Sequence, residues 1–101
     1  MSESNAAKTA PAGWVVGVLL APDGQPMQRH YYAVGHADRA KAEWTAVDWA
    51  VSEGEVATSP IAGEEPVQAL HPLTRMKMTS LGLTAGQVRG LGWRYPRRWL
   101  S

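Results

Sequence analysis

The chain has no cysteine and no phenylalanine, and its last 30 residues contain no acid. Without cysteine there are no disulfides, iron–sulfur clusters, thiol nucleophiles or cysteine-based zinc sites. Long apolar runs are missing too. The longest, residues 14–21, falls far short of the ~20 residues that cross a bilayer, so no membrane insertion is expected. Glu3 and the absence of an apolar run before Gly13 argue against a secretory signal and make a cytoplasmic location the expectation. No internal repeat is visible. Neither GxxxxGK[ST] nor GxGxxG occurs, despite glycines at 82, 86, 90 and 92, so no phosphate-cradling loop is indicated. His30, His36 and His71 lack the spacing of a metal-binding helix, and neither a metal nor a cofactor is expected.

What is present is unevenly distributed. Residues 1–71 carry four Lys or Arg against nine acids, net −5, and residues 72–101 carry six cations, net +6. The total of +1 conceals this split. A segment of one sign attracts an anionic partner, or docks on the acidic part of its own or a sister chain. The aromatic complement is five Trp and three Tyr. Indoles are seldom buried completely and favour interfaces, although filling of the core is the plainer use for them.

One domain is expected from 101 residues, an apolar content of 45% being enough for a globular core. Residues 1–12 read as a flexible N-terminal arm, 13–92 as a single α+β domain and 93–101 as a basic aromatic tail. The β-branched run at 14–20 predicts a central strand. Pro22, Asp23 and Gly24 supply a turn, and 27–35 returns as the second strand of a hairpin. Along it Met27, Arg29, Tyr31 and Ala33 alternate with Gln28, His30, Tyr32 and Val34. Asp38 caps a helix over 38–52, with Ala40, Trp44, Val47 and Val51 as its apolar stripe, widened into a broad buried face by Ala42, Ala46, Trp49 and Ala50. Trp44 and Trp49 are five residues apart and point to different flanks. An irregular stretch follows, with an extended piece at 56–58, and then a third strand over 66–71 that Pro72 ends. Residues 73–81 are ambiguous between helix and extended chain, with Gly82 as the stop. A capping box of Thr84 with Gln87 predicts a short helix over 85–91.

These elements add up to a small two-layer α+β sandwich. It has an antiparallel sheet with a ββαβ core, one long amphipathic helix and one or two short C-terminal helices. The expected core is Val16, Val18, Leu20, Tyr32, Val34, Ala40, Trp44, Val47, Val51, Val67, Ala69, Leu83, Val88 and Leu91.

Two surfaces are candidates for function. Arg75, Lys77, Arg89, Arg94, Tyr95, Arg97, Arg98 and Trp99 have the composition of a contact for single-stranded nucleic acid, in which Arg neutralises phosphate and rings stack on bases. The same residues suit a structural or self-associating tail. Trp14, Tyr31 and Trp93 are candidate interface aromatics on an open sheet face. Residues 81–91 resemble the turn and second helix of a helix-turn-helix, but Lys77 and Met78 do not fit its first helix. No carboxylate pair or nucleophile stands in a catalytic context. The sequence therefore points to a non-catalytic interaction or self-association module, a homodimer being favoured. Nucleic-acid binding stands second and an unrecognised small enzyme third.

Overall fold

The computed structural model describes residues 10–100, so most of the expected N-terminal arm lies outside the described residues. The chain forms an α+β domain with a five-stranded antiparallel sheet. Its strands are β1 (Gly13–Pro22), β2 (Gln28–Val34), β3 (Gly54–Val56), β4 (Val67–Leu73) and β5 (Val88–Gly92). Its helices among the described residues are α1 (Arg39–Val51), α2 (Arg75–Leu81) and α3 (Arg97–Leu100). None is long and apolar enough to cross a membrane.

β1 is central. It pairs with β2 on one side, while β3 and β4 lie end to end along the other. This accounts for its continuous apolarity, because both of its faces are covered. Val16, Val18 and Leu20 join Tyr32 and Val34 under α1, whose Ala42, Ala46 and Ala50 are fully buried. Val15, Tyr31 and Ala33 point the other way and are covered by Leu73, Met78, Leu83 and Trp99 from the C-terminal third. The register skips Leu70 between β1 and β4 and Leu91 between β2 and β5. These irregularities accompany the packing of both leucines in the second cluster.

Several sequence expectations are corrected. The core side of α1 is Ala42, Ala46 and Ala50, not the stripe of larger residues. Ala40, Trp44 and Val51 are exposed, and Val47 is half-buried. Methyl side chains one turn apart let the helix axis come close to the sheet, and there is no room beneath it for an indole. β3 starts two residues before the expected extended piece, and β4 runs through Pro72 to Leu73. As an edge strand, β4 has a free side on which a missing donor costs little.

The ambiguous stretch is helical. Thr74 caps α2 by accepting from the Lys77 N–H at 3.0 Å, and Gly82 closes it with its N–H directed at Met78 and Thr79. The expected helix over 85–91 does not exist, and with it goes the helix-turn-helix. Half of the capping box forms, with the Gln87 side chain accepting from the Thr84 N–H at 2.9 Å. The sheet then captures the backbone. Gly86, at φ +80°, donates to the Gly35 carbonyl at 2.7 Å, and the Gly35 N–H donates to Gln87 at 2.8 Å. A left-handed residue in the first turn cannot propagate a helix, so Val88 starts a strand.

Candidate functional site

The Ala-only contact of α1 leaves its larger side chains along the flanks. On the flank facing β3 and β4 they line a groove of about 600 Å³, bounded by Trp44, Val47, Val51, Val56, Val67 and Glu43. Trp44 is 70% exposed and Val51 57%, and the two lie along one groove rather than scattered singly. Trp49, 52% exposed, does not line the groove. The sequence stripe of 44, 47 and 51 did identify a continuous apolar face, but that face is open to solvent.

Two features keep the adjoining sheet edge from accepting another strand. The Glu43 carboxylate takes the Ala69 N–H at 2.9 Å, and Pro72 has no donor to offer. The groove is thus better suited to side chains than to an added β-strand. Glu43 also lies 3.8 Å from the Arg39 guanidinium, an exposed pair of small energetic weight.

The basic residues lie across the sheet. α2 and α3 cover the face opposite α1, so Arg75, Lys77, Arg97 and Arg98 are carried by elements on that side of the sheet. Arg89 is engaged within the fold. It donates to the carbonyls of Leu81 at 2.7 Å and Gly82 at 2.8 Å, closing the end of α2, and sits 5.9 Å over the Trp99 ring. Trp99 itself is buried, and Tyr95 packs edge-on against Tyr31 at 6.3 Å. Arg94 lies over Trp93 at 5.3 Å. Trp93 and Tyr95 are 52% and 67% exposed. Arg75, Arg94, Arg97 and Arg98 form no ion pair with a described residue; the two ion pairs found there are Arg29–Glu64 and Arg39–Glu43. Lys77 is half-buried on α2.

Of the three aromatics assigned to an open face, Trp93 is exposed. Tyr31 lies under Tyr95 and the second core cluster. Trp14 packs against the α1 side of the sheet and donates its indole N–H to the Ala37 carbonyl at 2.9 Å.

A polar cluster that sequence reading did not single out sits on the α1 face. The Tyr32 hydroxyl donates to Glu53. Burial first, and then the hydrogen bond and charge of Glu53, push the phenol well above its ordinary range. His30 is buried and its Nε2 has no hydrogen-bond partner. Burial lowers its pKa, and the Glu53 charge offsets part of that shift. Strand alternation puts His30 and Tyr32 on one face, but the approach of Glu53 depends on how α1 ends above them. Among the described residues no three metal-ligating side chains converge. No protein-family model matches this chain, and no curated protein or solved structure shows a detectable match to it.

Proposed function

We propose that the chain is a non-catalytic, self-associating protein-interaction module whose contact surface is the groove between α1 and the β3–β4 edge. The observation that carries this reading is the exposed apolar flank of Trp44, Val47 and Val51 around a groove of about 600 Å³. Leaving such side chains in water forgoes burial of roughly 25 cal/mol per Å², and a partner recovers that. Trp is also the residue most often found at the energetic centre of an interface. The indole N–H resonances of Trp44 and Trp49 test the reading as protein concentration rises. The Trp44 signal should move and the Trp49 signal should stay. Association that moves neither, or that moves Trp49 alone, would refute it.

A second reading, single-stranded nucleic-acid binding, is supported by Arg94, Arg97 and Arg98 beside the exposed rings of Trp93 and Tyr95. It requires affinity for a labelled oligonucleotide that drops steeply with salt, because phosphate contacts release counterions. Replacing the three arginines should weaken that binding for every base sequence alike.

A further inference from the structure

We infer that the groove is filled by the basic C-terminal segment, residues 93–98, of a second copy of this chain, so that copies associate head to tail. The inference rests on the reading of the groove as a protein contact surface and names its occupant. Three observations lead to it.

The segment and the groove are complementary in kind. The groove is apolar with the Glu43 carboxylate in its wall, and Asp48, one helical turn from Trp44, is exposed without an ion pair among the described residues. The segment offers two exposed rings, Trp93 and Tyr95, interleaved with Arg94, Arg97 and Arg98. Rings fill an apolar groove, and guanidinium groups at its rim meet the carboxylates of α1.

The segment cannot reach the groove of its own chain. Buried Trp99 pins it to the face of the sheet that carries Tyr31 and Val15, while the groove lies on the α1 side. The sheet stands between them, so only another copy can supply the segment.

The anchoring also presents the segment already ordered. Trp99 is buried and α3 is packed, which reduces the ordering entropy that a loose tail would lose on docking. Groove and segment are different patches, so the contact is heterologous. Repeating it builds a ring of copies where the rotation closes and an open chain where it does not. The contact is small, which places it among weak, concentration-dependent interfaces.

Sedimentation velocity from micromolar to submillimolar protein, at low and moderate salt, tests the inference. The variants are Trp44→Ala and Val51→Lys in the groove and the triple change Arg94→Glu, Arg97→Glu, Arg98→Glu in the segment; all of these side chains are exposed. The wild type should form growing oligomers that shrink with salt. Each variant alone should associate at least roughly tenfold more weakly, as loss of a central interface residue does. A 1:1 mixture of Trp44→Ala with the triple variant should regain a dimer and stop there, because one copy keeps a working segment and the other a working groove. If groove variants weaken association and the triple variant does not, the occupant is wrong and the groove reading survives. If no groove variant matters, both fall. A mixture that stays monomeric although the wild type associates excludes the head-to-tail arrangement. Oligonucleotide binding that needs the three arginines, in a chain that stays monomeric, overturns the inference in favour of nucleic acid.

Discussion

Replacing Trp99 with alanine should cost about 3 kcal/mol of stability, a large loss for a residue so near the end of the chain. Trp99 is 8% exposed and shares a cluster with Val15, Tyr31, Ala33, Leu73, Met78 and Leu83. Truncating a buried Trp costs about 3–5 kcal/mol through lost burial and the hole left behind. The Arg89 guanidinium over the ring adds roughly 0.5–1 kcal/mol. The four-residue helix α3 limits the total, because it can detach rather than hold a cavity open. The loss cannot then exceed the free energy of docking α3, which favours the lower end of the range. A domain of this size has about 5–14 kcal/mol in hand, so the rest should stay folded. Urea unfolding followed by far-UV circular dichroism would measure the loss, and the thermal midpoint should fall by roughly 12–24 °C. A chain ending at residue 92 provides the comparison. If α3 detaches in Trp99→Ala, the truncated chain should be about as stable as the variant. A loss below about 1 kcal/mol would refute the idea that this ring seals the second face of the sheet.

Other predictions concern positions where the local chemistry is well defined. His30 is held neutral by burial, so its folded pKa lies below the unfolded value of 6.5. Its contribution to stability is therefore present above that value and is lost as pH falls through the folded pKa. Urea midpoints between neutral and mildly acidic pH should fall more steeply for the wild type than for His30→Leu, and parallel curves would contradict this. A Cβ at Gly35 would overlap the Thr84 carbonyl oxygen, which is backbone and cannot swing aside. Gly35→Ala should cost about 1–3 kcal/mol and slow β5 docking, and hydrogen exchange at Gly86 and Gln87 would show the loosening. Asp38 accepts from the Lys41 N–H at 3.0 Å, so Asp38→Ala should cost about 1 kcal/mol, read from the same urea curves.

By itself the sequence determined whatever depends on neighbours along the chain. The hairpin follows from the β-branched run at 14–20, the Pro22-Asp23-Gly24 turn and the alternation beyond it, and β1 and β2 pair in that way. Asp38 as the cap of α1, Gly82 as the end of α2 and the α+β class were legible for the same reason. The groove was half legible, because the positions 44, 47 and 51 marked an apolar stripe without saying whether anything covers it. Only tertiary structure decided that. The sheet accepts the three alanines at 42, 46 and 50, and close packing there turns Trp44 outward. Residues 84–92 went the same way. Their capping signal is real and half satisfied, yet the hydrogen bonds that Gly86 donates to Gly35 and that Gly35 donates to Gln87, some fifty residues apart in sequence, outweigh a short helix with two glycines. Charge is the last case. Composition set the cations at one end of the chain, but the sheet between α1 and α3 separates them from the groove and its acids. The cations of α2 and α3 and the groove beside α1 thereby lie on opposite sides of one sheet.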